Sequence, residues 1–213
     1  MKSILITVLL AFFGSFAIAQ TILYEHPQIE QYVSKHNKVA ILPFKTSITL
    51  RPKDMKSMTN EQFSKMEEDE GYSIQSAMHS WFLRRKMNGK LKVSFLDPLT
   101  TNAKLRKMGV GFENIQDYTP DELADILEVD AIIMGSFETN KPMSEGASVA
   151  LGLLVGFYGI TNKAVLNMSI YDSEEGVQIT NYNKAISGTL GSSTEDLMNI
   201  LMRKASRRIS YTD

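Results

Sequence analysis

The arrangement of apolar and polar positions divides the chain into elements of alternating type. From Thr119 to Phe137 the sequence reads TPDELADILEVDAIIMGSF. Thr119, Pro120 and Glu122 supply an N-cap, a proline at the first helical position and a capping-box glutamate. Leu123, Ile126 and Leu127 then share one helical face, and the period changes at Asp130, where Ala131 to Met134 form an unbroken apolar run. So short a run, bounded by Asp130 and Gly135, predicts a strand buried on both faces. A helix feeding such a strand is half of an α/β unit.

The same reasoning places the other elements. Gln20 to Asn37 is polar with scattered aromatics and reads as an arm or short helix, whereas Val39 to Phe44 is an apolar strand with Pro43 near its end, where no ladder donor is needed. Lys45 to Met58 reads as a loop or a short edge strand at Ile48 to Leu50. Thr59 with Gln62 can cap a helix. After Gly71, Ile74, Ala77, Met78, Trp81, Phe82 and Arg85 follow helical spacing as far as Asn88-Gly89. Arg84, Arg85 and Lys86 suit the end of that helix through its dipole. Leu91, Val93 and Phe95 alternate as in a strand, Asp97-Pro98 ends it, and Thr101 can cap a short helix. Ala164, Leu166, Met168 and Ile170 alternate again; Asp172 to Gly176 is a turn, and Val177 to Ile186 returns as the second arm of a β-hairpin. Ser192 with Glu195 forms a further capping box, and Leu197, Ile200, Leu201, Ala205 and Ile209 give the last helix its apolar face. The predicted fold is α/β, a mixed sheet of about five strands flanked by helices. An apolar, glycine-rich insertion precedes its C-terminal hairpin and helix.

Composition adds a compartment. Lys2 is the only charge before Glu25, Ile4 to Phe13 is apolar, and Ala17-Ile18-Ala19 precedes Gln20 as in a signal-peptidase site. The expected organisation is a signal peptide over 1–19, an arm over 20–37 and one α/β domain over 38–213. There is no cysteine, hence no disulfide and no thiol to carry an N-terminal lipid. The expected location is exported, periplasmic or outer-membrane-associated, without lipidation. With 23 basic against 24 acidic residues, no clustered basic surface suggests nucleic acid.

Catalytic motifs are absent from the sequence. The three histidines (His26, His36, His79) have no partner at metal-ligand spacing, and His79 reads as a partly buried structural side chain. Gly109 and Gly111 follow a helix and lack the third glycine of a dinucleotide turn. Glu67 to Glu70 reads as a solvated helix face. Neither metal nor cofactor is expected, and the chain is expected not to be an enzyme. Asp97, Asp130 and Glu138, near strand ends, are the remaining places for a small-ligand or hydrolytic site.

Ser144 to Ile160, SEGASVALGLLVGFYGI, is apolar without alternation, and Ser144, Ser148, Gly152 and Gly156 recur every four residues. Such a stripe permits close helix packing. As a helix, 147–158 would be about 18 Å long, short of the roughly 30 Å of a bilayer core. The stretch reads either as a buried element or as a surface for self-association or membrane contact, with Ser148, Gly152, Leu153, Gly156, Phe157 and Tyr158 as its contact residues.

Three segments carry a resemblance: Val39-Ala40-Ile41-Leu42-Pro43-Phe44, Gly71-Tyr72-Ser73-Ile74, and Leu127 to Phe137. In this order they resemble the curli-secretion-channel superfamily, whose core is similar to the N-terminal domain of the Tol–Pal translocation protein TolB. The resemblance spans about Lys38 to Ile209. It implies a non-enzymatic envelope accessory or assembly subunit that pairs with itself or docks on an envelope partner, or an outer-membrane-associated secretion or pore subunit. Those relatives are typically lipoproteins, and curli channels use two membrane hairpins per subunit where this chain has one apolar stretch.

Overall fold

The computed structural model describes residues 21–50, 56, 58–141, 163–188 and 192–212. The residues of the expected signal cleavage, Ala17, Ala19 and Gln20, and the expected contact residues Ser148, Gly152, Leu153, Gly156, Phe157 and Tyr158, lie outside them.

Seven strands form one mixed sheet. They are β1 (Thr21–Glu25), β2 (Lys38–Ile41), β3 (Lys45–Leu50), β4 (Ser94–Phe95), β5 (Ala131–Lys141), β6 (Lys163–Asp172) and β7 (Gln178–Ser187). Their order is β1-β7-β6-β5-β2-β4, with β3 pairing further along the same side of β5 as β2. β5 to β2 and β2 to β4 are parallel; β5-β6-β7-β1 is an antiparallel run. The helices are α1 (Ile29–Val33), α2 (Asn60–Met87), α3 (Pro98–Lys107), α4 (Pro120–Leu127) and α5 (Thr194–Ala205). The α/β architecture is the one expected, with two more strands than the sequence pattern supplied.

Two cores follow from the two faces of the sheet. On one face α2 and α5 cover alternate residues of β5, β6 and β7, including Ile133, Phe137, Leu166, Met168 and Tyr182. On the other, α3 and α4 bury Ala40, Leu42, Leu105, Leu123, Leu127 and Ile132. The apolar run of β5 is buried on both faces because both layers meet over it: Ala131, Ile132 and Ile133 are each 0 % exposed. Burying one such isoleucine contributes about 2 kcal/mol. An exposed ion pair such as Lys35–Glu174 adds at most about 1 kcal/mol, so packing decides the fold.

β2 and β3 are one strand interrupted by a bulge. Ile41 faces Ile133 and Lys45 faces Ser136, so Leu42, Pro43 and Phe44 lie opposite only Met134 and Gly135. Pro43, which has no N–H, occupies this irregularity as its chemistry requires. The bulge swings Phe44 into the core, fully buried. A Cβ on Gly135 would lie 2.9 Å from the Phe44 ring and 2.0 Å from the Asn167 carbonyl oxygen; one on Gly71 would lie 2.4 Å from the Phe44 carbonyl oxygen. The Phe44 amide donates to the Gly71 carbonyl at 3.4 Å. The Ile41 carbonyl, at the bulge, accepts from the fully buried Gln75 amide at 2.7 Å, and Gln75 pairs with Asn102 of α3.

Several expectations are corrected. Thr21–Glu25 is a strand, not part of an arm, because β7 offers it a partner. β3 spans Lys45–Leu50 rather than only its end. The helix begun at Thr59, with its Gln62 capping box, runs through Gly71 without a break, since the missing side chain is what lets it close on Phe44. β5 continues past Gly135 to Lys141. Only Ser94–Phe95 of the alternating Leu91 to Leu96 pairs, because the Lys92 amide is drawn to the Tyr211 carbonyl at 3.3 Å. Asp97, not Thr101, caps α3, and Thr101 is buried within it. The last capping box is Ser193 with Asp196. The capping box of α4, the Asn88-Gly89 stop and the β6–β7 hairpin stand where they were expected.

The glycine contacts predict an asymmetric result. Gly135→Ala meets main chain that cannot yield and should cost about 3 kcal/mol or prevent folding. Gly111→Ala, where the nearest atom lies 3.8 Å away, should stay within about 0.5 kcal/mol. Urea unfolding of both variants measures the difference.

Candidate functional site

Mixed sheets have edges, and this one treats its edges differently. β4 is cut to two residues. The free side of β3 is occupied by Glu67 of α2, whose side chain accepts from the Ile48 amide at 3.0 Å and whose carbonyl accepts from the Thr46 hydroxyl. Shortening and covering are the usual ways to block unwanted strand pairing.

β1 has neither protection among the described residues. All five of its residues are exposed, with Ile22 at 53 %, Leu23 at 38 % and Tyr24 at 45 %. Its inner side is secured to β7, where the antiparallel register runs from Thr21 opposite Lys184 to Glu25 opposite Thr180 and continues through the His26 amide to the Ile179 carbonyl at 2.9 Å. Both ends are pinned by side chains: the Lys184 ammonium donates to the Thr21 hydroxyl, and the Ser210 hydroxyl donates to Glu25 at 3.1 Å. Antiparallel hydrogen bonding alternates along a strand. With His26 bonded inward, Tyr24 and Ile22 also point their main-chain groups at β7, and Thr21, Leu23 and Glu25 point theirs outward. The result is an anchored ladder, without an outer partner among the described residues, bearing apolar side chains. Its chemistry is strand addition.

Its self-complementarity follows from the same register. A second β1 laid antiparallel about Leu23 places Leu23 against Leu23, Ile22 against Tyr24 and Thr21 against Glu25. A β-branched side chain opposite an aromatic one is a favourable cross-strand pair, and no like charges face each other.

The acids proposed as a small-ligand site hold main chain instead. Asp97 accepts from the Leu99 and Thr100 amides and the Thr100 hydroxyl, and that hydroxyl first, then the amides, keeps its carboxyl below the usual range. Asp130 accepts from the Asn37 and Lys38 amides at 2.7 and 2.8 Å. Glu138 is exposed. A cleft of about 630 Å³ lies between β3, α2 and the segment at Phe112, but Glu67 in its wall is bonded to Ile48, and Glu68 pairs with Lys65. The acidic run therefore diverges, as a solvated face should. His79 is partly buried, and that burial lowers its pKa against the pull of Asp97.

The buried histidine is His36. Its Nε2 lies 2.8 Å from Asp172 and its Nδ1 2.6 Å from the Tyr211 hydroxyl, all three side chains being buried. One tautomer satisfies the set: Nε2–H donates to the carboxylate and Nδ1 accepts from the phenol. The second Asp172 oxygen accepts from the Glu174 and Glu175 amides. Burial, then Asp172 and Asp130, push the Tyr211 hydroxyl far above its ordinary pKa. The three groups join the segment before β2, the hairpin turn and the C-terminal turn, and none lines a cavity described above. Sequence reading missed this cluster, because its members are separated by 136 and 175 residues.

No protein-family model matches the sequence, and neither does any curated protein. Among solved structures, a PelC dodecamer from Paraburkholderia phytofirmans is similar at 12 % identity and TM-score 0.47, over 88 % of this chain and 94 % of that one. A lipoprotein from Neisseria meningitidis is similar at 13 % identity and TM-score 0.44, over 82 % and 98 %. The LpoB C-terminal domain from Salmonella enterica is similar at 8 % identity and TM-score 0.33, over 74 % and 94 %. Neither a curli-secretion channel nor a Tol–Pal protein is among these three.

The buried phenols set an alkaline limit. Burial raises Tyr182 to about 12, against an ordinary value of 10.0. The unfolded chain loses that proton first, so stability is complete below pH 10 and falls as pH rises from there towards 12, by about 1.4 kcal/mol per unit for each such group. Tyr182→Phe should leave stability at pH 7 nearly unchanged and flatten the loss between pH 10 and 12, read from urea midpoints.

Proposed function

We propose that this chain is an exported, non-enzymatic assembly or accessory subunit of a cell envelope, and that it works by associating with further copies of itself. The observation that carries the reading is β1, an apolar, exposed edge strand whose outer ladder has no partner among the described residues and whose inner side is pinned. An edge left open beside two that are shortened or covered is a site kept for pairing. The leader-like residues 1–19 support export, and the segments resembling the curli-secretion-channel superfamily support an envelope setting. The apolar stretch 144–160 is proposed as a second contact surface, between copies or with a membrane.

Light scattering on the purified protein, with and without mild detergent, tests this. A defined oligomer in buffer that becomes a monomer in Leu23→Lys supports pairing through β1. An unchanged mass in that variant removes β1 from the interface, and a monomer throughout removes self-association. Gly152→Asp tests the second surface separately; an oligomer that forms only in detergent and is lost in this variant assigns 144–160 to membrane contact and favours the secretion-subunit reading.

A further inference from the structure

Two basic segments far apart in the chain meet in space. The C-terminal turns of α2 and α5 pack so that Trp81, Arg84, Arg85, Asn88, Arg203 and Arg207 line one cavity of about 300 Å³. The helix dipole accounts for one or two cations at each end, at about 0.3–1 kcal/mol apiece. It does not account for four guanidinium groups around a single space. Among the described residues none of the four has a carboxylate partner or donates a hydrogen bond to a helix-end carbonyl, so the five donors of each are left to solvent. They also oppose one another: the Arg85 pKa is lowered by burial first, then by Arg207 and Arg84. Arg84 is positioned over the Trp81 ring, 5.3 Å from its centroid.

We propose that this cavity binds the phosphoryl group of an anionic ligand, held between the guanidinium groups of Arg85 and Arg207 and flanked by Arg84 and Arg203. A carboxylate would neutralise one of four charges. A phosphoryl group carries up to two charges and three acceptor oxygens, and guanidinium forks match that geometry in pairs. Asn88 adds an amide at the rim. The ligand is either a soluble phosphorylated compound or a phospholipid headgroup presented at a membrane surface. No residue of β1 lines this cavity.

Trp81 is the sole tryptophan, so its emission reports the cavity directly. Inorganic pyrophosphate titrated at low ionic strength should change Trp81 emission saturably. The binding should weaken with salt, and by about tenfold or more in Arg203→Gln/Arg207→Gln, with no change in Lys65→Gln. The exposed positions of Arg203 and Arg207 keep that double variant folded, which circular dichroism checks; Arg85→Gln is a second variant with the same expectation. Co-sedimentation with phosphatidylglycerol and with phosphatidylcholine vesicles distinguishes the sources. Pyrophosphate binding without vesicle binding assigns a soluble ligand, and binding to phosphatidylglycerol alone assigns a headgroup. The proposal is overturned if neither probe binds, if the arginine variants bind both as well as the parent chain, or if citrate binds as tightly as pyrophosphate.

Discussion

The placement of Phe44 is the constraint on which most of the sheet depends. Its ring and carbonyl occupy the space that side chains on Gly135 and Gly71 would need. That arrangement brings α2 against the β2–β3 strand and kinks that strand at Pro43, and the kink leaves the Ile41 carbonyl to Gln75. Through Gln75 and Asn102 the same point ties in α3 on the opposite layer. The interaction is steric and therefore unforgiving. Interiors packed at crystal-like density have no slack in which a methyl group opposite a main-chain oxygen can be accommodated.

A second constraint closes the molecule at its periphery. His36, Asp172 and Tyr211 bring three distant segments together through short hydrogen bonds with water excluded, and each polar atom finds a partner. A buried polar cluster of this kind stabilises little compared with an apolar core of equal volume, but removing one member strands the others, so it specifies a single arrangement. Its likeness to a catalytic relay ends at access: Tyr211 is 0 % exposed, so no substrate reaches the phenol.

Around this fixed interior the surface divides by chemistry. One end of the sheet presents main-chain donors and acceptors with apolar side chains at β1; the C-terminal ends of α2 and α5 present clustered positive charge. The first is suited to a strand and the second to an anion, and neither depends on the acids near strand ends, which are occupied in holding main-chain amides.

Much of the architecture is local in origin and could be read directly. Caps at Thr59 and Thr119 act within three residues, the stop at Asn88-Gly89 within one turn, and the alternation in β6 reports which face is buried whatever covers it. Boundaries failed where a distant partner decided them. β1 exists because β7 lies beside it, and Gly71 continues a helix because Phe44 needs its space; Thr101 instead lost its cap role to a local competitor, Asp97, one turn earlier. The candidate sites were still less legible. Exposure of an edge depends on strand order, and Arg84 and Arg203 are ordinary helix-end cations until two helices pack. The amino-acid sequence by itself determined most of the helices, the central strands and which of their sides are apolar, since those follow from periods of two and 3.6 residues. Only the tertiary structure decided which edge stays open, which histidine is buried and where the arginines converge, because those depend on contacts across more than a hundred residues that no local period encodes.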